Sequence, residues 1–395
     1  MIAITAKTLF TAQEKVEQPM VLIDEGRISL ISSRSAKDIP SGVRVLEFPE
    51  YILAPSYIEI HIHGGAGYDV MQADMSGMET LERFLAGHGV GSYLPTTVTA
   101  PMDVTLSALD RLATAIEKAA DRNGSHGGRA QPLGIHLEGP FLSHVRRGVH
   151  PAGDLLTPSI AVFDRLWQAA RGKIALMTIA PELGGAPEVI AEAARRGICV
   201  SLGHSDADMA TTRVAVRAGA RHATHTFNAM RPLHHRDPGI LGEVLTNPHL
   251  TADIIADGIH VDPVLVKLFV KANGFDDSVI ITDAISATGM GDGRYRLGPI
   301  EVEVKDGKCL LNGTIAGSVL TMDAAVRNVM EFAGCDLAKA VKLATANPAR
   351  VMRWKDRGVI EVGARADLVV LDVNGKVVQT IIGGEVNPSG ATHGR

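Results

Sequence analysis

The chain has 395 residues, 46% hydrophobic and 21% charged, which suits one large globular domain with a smaller appendage rather than a string of modules. Its formal net charge of -5 lacks the basic field of a nucleic-acid binder, and the adjoining pair Arg146-Arg147 is too small to supply one. No apolar run approaches the length of a membrane span, and Met1-Ile2-Ala3-Ile4-Thr5-Ala6-Lys7 lacks the basic head and long apolar core of a signal peptide. Three separated cysteines, Cys199, Cys309 and Cys335, form no CxxC pair. That usage fits a reducing compartment, so a cytoplasmic location is expected.

At the start of the chain, Val21-Leu22-Ile23-Asp24, a Glu25-Gly26 turn and Arg27-Ile28-Ser29-Leu30-Ile31 predict a β-hairpin. From about residue 54 short apolar runs alternate with helical stretches, the signature of repeated βα units. Strands are expected to end near His63, Thr97, Glu138, Pro181, His204, His225, Asp257 and Asp283. Eight strands with intervening helices predict an α/β fold, a TIM-like (β/α)8 barrel over 54–349. Helix 206–218 has Asp206 as its expected N-cap and Gly219 as its stop; helix 262–273 opens on Asp262-Pro263 and stops at Gly274. A hairpin-like excursion around Asp306-Gly307 follows the eighth strand, and then a helix from Met322.

Near the other end, 368–371 and 376–382 flank Asn374-Gly375, a tight-turn signal. Two-stranded hairpins are marginal alone, so residues 1–53 and 350–395 are expected to combine into one small β-sandwich domain. A doubly wound open sheet is the competing architecture. Its phosphate loop would be Gly64-Gly65-Ala66-Gly67, but that run follows two histidines and lacks the acidic partner of the dinucleotide fingerprint.

His61-Ile62-His63 closes the run Tyr57-Ile58-Glu59-Ile60, and alternate strand residues share a face, so both imidazoles can reach one point. Further runs end in Glu138, His204, His225 and Asp283, each able to bind metal or move a proton. In a closed barrel the C-terminal strand ends converge on one mouth. Taken singly, each residue is explained as a satisfied core histidine or a helix cap; five coincident strand ends favour a metal site. Nitrogen and oxygen donors without cysteine suit Zn²⁺, with Fe²⁺, Mn²⁺ or Co²⁺ as alternatives. Such a cation lowers the pKa of its bound water toward neutrality.

Several segments carry a specific resemblance: His136-Leu137-Glu138-Gly139-Pro140-Phe141, Ser201-Leu202-Gly203-His204-Ser205, Thr224-His225-Thr226-Phe227-Asn228-Ala229-Met230, Asp257-Gly258-Ile259-His260, Thr282-Asp283-Ala284 and Ala316-Gly317-Ser318-Val319-Leu320-Thr321-Met322. Together they resemble the N-acetylglucosamine-6-phosphate deacetylases of the amidohydrolase superfamily, over nearly the whole chain. The resemblance implies that Glu138, His204 and His225 hold the principal metal, and that His61 and His63 hold a second ion bridged by Glu138, giving one or two ions per subunit. It implies Asp283 as catalytic acid/base and His260 as the group polarising the substrate carbonyl. Asn228, Ala229, Ile315, Ala316 and Gly317 fall at substrate contacts, His150 at a sugar contact, and Val149 where a small residue is usual. Arg236 resembles an arginine that reaches the phosphate bound in a neighbouring subunit, which implies a homodimer; His234 and His235 stand beside it.

One departure precedes the first histidines: the family's Pro-Gly-Phe-Ile-Asp is Pro55-Ser56-Tyr57-Ile58-Glu59 here, a change in the support of the site. The expected reaction is loss of acetate from an N-acetylated amino-sugar phosphate. N-acetylgalactosamine 6-phosphate is the alternative substrate, and a non-catalytic sugar-phosphate-binding scaffold is the alternative of another class. Cyclic amidases, which often bridge two metals through a carbamylated lysine on the fourth strand, fit poorly: 174–180 ends in Pro181-Glu182 and offers no lysine.

Overall fold

Strands that are apolar on both faces require a sheet covered on both sides. Tyr57–Ile62, Val90–Pro95, Ile135–Glu138, Ile174–Ile179, Cys199–Leu202, His222–Ala223, Thr251–Ile255 and Ser278–Ile281 are almost wholly buried. They are seen in a computed structural model that describes residues 1–11, 14–33, 39, 41–121 and 127–388. Neighbours in this order pair in parallel. Single parallel bridges join Thr96 to His136, between the second and third strands, and Ile62 to Ala284, between the first strand and the residues after the last. The outcome is a curled parallel sheet whose strand C-termini all face one way.

Helices alternate with these strands, among them Met75–Gly87, Met102–Ala120, Ile160–Ala169, Ala186–Arg195, Met209–Ala218, Pro263–Asp277 and Met322–Ala333. Each buries one stripe; Val266, Phe269 and Val270 do so for Pro263–Asp277. Asp262 caps that helix through the Val264 N–H as expected, while Gly274 (φ 76) breaks it without ending it, a last turn running on to Asp277. The expected cap of the 206–218 helix needs correction. The helix begins at Met209, and Asp208 accepts the Thr211 N–H at 2.8 Å. Asp206 lies two residues too early to reach those amides and pairs instead with Arg146 Nε at 2.7 Å.

Strands from both ends of the chain form one eight-stranded sheet among the described residues. Arg44–Pro55 joins its two parts, running parallel to Ile2–Phe10 and antiparallel to Leu368–Leu371. The hairpin Pro19–Asp24/Arg27–Ser33 turns through positive φ at Glu25 (46) and Gly26 (73), the geometry a two-residue turn demands. Period-two alternation splits the sheet's burden. Ala54, Val369 and Leu371 pack into the core of the curled sheet, while Leu53, Leu368 and Val370 join Ile4, Val21, Ile23 and Ile381 in a second core. Each buried leucine, isoleucine or valine among them contributes roughly 1.5–3 kcal/mol, a sum neither terminal hairpin could assemble alone. The 389–395 part of the expected terminal domain lies outside the described residues.

After Ser278–Ile281 the chain makes a four-stranded antiparallel excursion, Gly293–Leu297, Ile300–Lys305, Lys308–Leu311 and Thr314–Ile315, with its central turn at Asp306-Gly307. Among the described residues no helix is long and apolar enough to cross a membrane.

Candidate metal and catalytic site

Parallel pairing carries the strand-end residues to a common point. His61 and His63, two apart on one strand, bring their Nε2 atoms within 3.2 Å of each other. His204 and His225, from different strands, do the same at 3.0 Å. Glu138 stands between the pairs. Its Oε1 lies 3.2 Å from His204 Nε2 and 3.1 Å from His225 Nε2; its Oε2 lies 3.5 Å from His61 Nε2 and 3.4 Å from His63 Nε2. Asp283 Oδ1 adds a second carboxylate on the latter side, 3.4 Å from His61 and 3.1 Å from His63. His204 (φ 48), His225 (φ 33) and Asp283 (φ 51) all hold left-handed backbone, at a cost of about 1–3 kcal/mol each. Strain at three strand ends of one site marks them as held there by their surroundings.

The outer nitrogens settle which histidines offer lone pairs. His63 Nδ1 faces the Thr96 carbonyl at 3.0 Å and His204 Nδ1 the Arg146 carbonyl at 2.9 Å. A carbonyl only accepts, so Nδ1 carries a hydrogen, and in the neutral ring Nε2 keeps a lone pair aimed at Glu138. Two acceptors 3.2–3.4 Å apart repel unless a proton or a cation lies between them. That donor set fits a divalent cation in both groups, Glu138 with His204 and His225, and Glu138 with His61 and His63.

His150 has the opposite tautomer: the Thr99 N–H donates to its Nδ1 at 3.2 Å, so Nε2 carries the hydrogen and is a donor rather than a ligand. His136 is a satisfied core histidine, Nδ1 donating to Ile60 O at 3.1 Å and Nε2 2.8 Å from the Thr178 hydroxyl. Burial drives its pKa well below the ordinary value.

Electrostatics agree. Burial disfavours charge on His63, yet hydrogen bonds to Asp283 and Glu138 raise it to about 10. Burial likewise opposes His225, which Glu138 raises to about 9, but prevails at His204, which falls to about 4. Burial would push Glu138 up; the charge on His61 and the closeness of His150, His204 and His225 hold it well below the carboxylate range. The carboxylates thus concentrate positive charge here, and a divalent cation takes the place of the protons they gather.

A model of the amidohydrolase family matches residues 52–386. The chain belongs to that family. N-acetylglucosamine-6-phosphate deacetylase of Bos taurus is 41% identical over 349 residues, 85% of this chain and 83% of that one. N-acetylgalactosamine-6-phosphate deacetylase of Escherichia coli O157:H7 is 37% identical over 383 residues, 96% of this chain and 98% of that one. A solved variant of N-acetyl-D-glucosamine-6-phosphate deacetylase from Mycobacterium smegmatis, in complex with N-acetyl-D-glucosamine-6-phosphate, matches with a TM-score of 0.89 at 32% identity, covering 98% of this chain and 99% of that one.

In this amidohydrolase the strand ends open into a cavity of about 380 Å³. His63, Glu138, His204, His225, Asp283, His260, His150, Val149, Asn228, Ala229, Ile315 and Gly317 line it. His61 lies fully buried beneath, and Ala316 is buried behind the wall, its N–H donating to Cys309 O. Arg236 sits on the exposed 231–236 loop, apart from the lining of its own chain's cavity. A second cavity, about 350 Å³, is lined by Phe10, Lys15, Lys339 and Thr345 among others and holds none of the strand-end groups.

Sequence reasoning flagged one support, Glu59, and missed the others. Glu59, a departure from the family pattern, is fully buried; Oε1 accepts the His61 N–H at 3.0 Å and Oε2 the Thr282 N–H at 3.1 Å, tying the first strand to the last. Burial raises its pKa to about 8. Asp253, also fully buried, accepts the His225 N–H and stands 2.9 Å from His222 Nε2. Val98, Leu297 and Thr314 line the cavity without any motif to announce them. Arg146 was visible only as half of a basic pair; its carbonyl orients His204.

Proposed function

We propose that this amidohydrolase removes the acetyl group from N-acetyl-D-glucosamine 6-phosphate, giving D-glucosamine 6-phosphate and acetate. One observation carries the chemistry: the two oxygens of Glu138 face separate histidine pairs on a cavity that Asp283 and His260 also line. The names of the relatives support the substrate. When bound, a divalent cation supplies Lewis-acid polarisation and a water of lowered pKa. Glu138, His204 and His225 would hold it, and His61 and His63 with Glu138 a second; Zn²⁺ suits these donors, with Fe²⁺, Mn²⁺ or Co²⁺ as alternatives. Asp283 takes the proton of the attacking water and delivers it to the departing amine nitrogen. His260 holds the carbonyl oxygen, while His150 offers its Nε2–H to a sugar hydroxyl. Val149, Asn228, Ala229, Ile315, Ala316 and Gly317 shape the sugar pocket.

Arg236, exposed beside His234 and His235, supports a homodimer in which it reaches the phosphate in the neighbouring site. To the same reading belong a (β/α)8 barrel over 54–349, a sandwich-like domain from 1–53 and 350–395 around its own core, and a cytoplasmic location.

The test is acetate release from both hexosamine phosphates after the metal is stripped and single ions are restored. Turnover of the glucosamine substrate that returns with one ion supports the proposal. The galactosamine epimer as the better substrate would favour the second reading, which the Escherichia coli relative motivates. Stoichiometric metal with no acetate from either would leave a scaffold.

A further inference from the structure

His260 lines the cavity, and its usefulness there depends on a neighbour to which the motifs assign no role. The loop after Thr251–Ile255 is built around Asp257. Its Oδ1 accepts the N–H groups of Ile259 and His260, each at 2.8 Å, and its Oδ2 faces His260 Nδ1 at 2.7 Å. Both side chains are only 8% exposed. Between them Gly258 takes φ 72 with the Phe332 ring 3.3 Å from where a Cβ would stand, so the turn that links the two residues favours glycine.

An ionised carboxylate only accepts, so His260 Nδ1 carries a hydrogen. In the neutral ring Nε2 is then a lone pair, and it donates to an oxygen only when the ring holds both protons. A buried carboxylate at 2.7 Å fixes the ring plane and is the counter-charge that a ring donating through Nε2 needs. Burial would raise the Asp257 pKa, but the hydrogen bond from His260 lowers it, which keeps the carboxylate charged for that task.

We propose that Asp257 is a positioning residue that acts through His260, orienting the imidazole and keeping its Nε2 able to donate to the scissile carbonyl oxygen. The proposal rests on the assignment of His260 to that oxygen, and a double-mutant cycle separates the two. Asp257→Asn, His260→Asn and the double variant are assayed for kcat and KM with N-acetyl-D-glucosamine 6-phosphate, with bound metal counted in each. The Asp257→Asn side chain would retain the oxygen that caps the two backbone amides but turn an NH₂ toward Nδ1, so Nε2 could donate only from a neutral ring, a weaker donor than one paired with a carboxylate. Asp257→Ser is run in parallel, since a hydroxyl can still cap the loop yet cannot reach the ring.

The expected result is a fall in kcat of roughly 10- to 100-fold for the Asp257 variants, with KM and metal content near wild type and no further loss when Asp257→Asn is added to His260→Asn. Multiplicative losses, unchanged kcat in the Asp257 variants, lost metal, or failure of both variants to fold would each overturn the proposal by making Asp257 idle or merely structural. Near-normal kcat in His260→Asn would instead remove the assignment of His260 on which it rests.

Discussion

Two clusters of buried charge in this molecule are built on opposite logic. At Asp323, in the first turn of Met322–Ala333, every contact pairs a donor with an acceptor: His88 Nδ1 stands 2.9 Å from Oδ1 and Arg327 Nη1 2.8 Å from Oδ2. At Glu138 the carboxylate oxygens meet histidine nitrogens whose hydrogens, at His63 and His204, are already committed to carbonyls on the far side of the ring. The first cluster is complete with the atoms the chain supplies; the second requires positive charge from outside. A buried carboxylate therefore distinguishes support from function less by its burial than by whether its partners bring their own hydrogens.

The strongest way to break this contrast is to remove the shared carboxylate. Glu138→Ala is expected to lose both metal groups at once, with bound metal falling to background and acetate release dropping by ~10⁴-fold or more. One retained equivalent, measured by elemental analysis, would mean that the two histidine pairs do not share Glu138. Next comes Asp283→Asn, expected to keep its metal and lose roughly 10²–10⁴ in kcat, the range for a general acid/base. Near-normal turnover in that variant would take the proton-transfer role from Asp283.

The pairs can then be set against each other. His204→Ala is expected to lose the principal ion with most of the activity, whereas His61→Ala should leave one ion and cost activity by a smaller factor of about 10–100. The reverse ranking would exchange their assignments. Arg236, outside both clusters, sharpens the picture differently. Arg236→Ala should raise KM for the phosphorylated sugar about 10-fold or more, from loss of a charge-assisted bond, while sparing N-acetylglucosamine. Equal effects on both sugars would remove its phosphate role.

How much of this was readable beforehand follows from how local each feature is. The ends at His63, Glu138, His204, His225 and Asp283 were legible because apolar runs stop there at a polar residue, and parallel pairing brings such stops together without further information. Asp262-Pro263 and Asn374-Gly375 were legible for the same reason, since their chemistry acts within a few residues. The cap at Asp208 rather than Asp206 was not: the helix starts only at Met209, and Asp206 pairs with Arg146, some sixty residues away. Glu59 stood out only as a departure beside His61, and Asp253 and Asp257 were hidden as supports, because an acid's meaning is fixed by which N–H groups the fold delivers to it. Tautomers are less legible still. His136, His150 and His204 look alike in a sequence; the Thr99 N–H at Nδ1 makes His150 a donor, and Thr178 rather than Glu138 at Nε2 separates core His136 from candidate ligand His204.

The smallest effect tests the structural half of the contrast. Burial would raise the Asp323 pKa, but hydrogen bonds from His88 and Arg327 hold it well below the carboxylate range. A depressed folded-state pKa means that the unfolded chain binds the proton first, so stability rises with pH through the ordinary value near 4 and is lost as pH falls toward the folded value. Asp323→Asn should therefore lower the denaturation midpoint at pH 7 by an amount equivalent to about 1–3 kcal/mol, and the difference from wild type should shrink below pH 4. Metal content and kcat should stay unchanged, because nothing in that cluster awaits an outside charge. If the variant instead shed metal at neutral pH while its midpoint held, the two clusters would be coupled, and the division between self-sufficient and cation-requiring carboxylates would not hold.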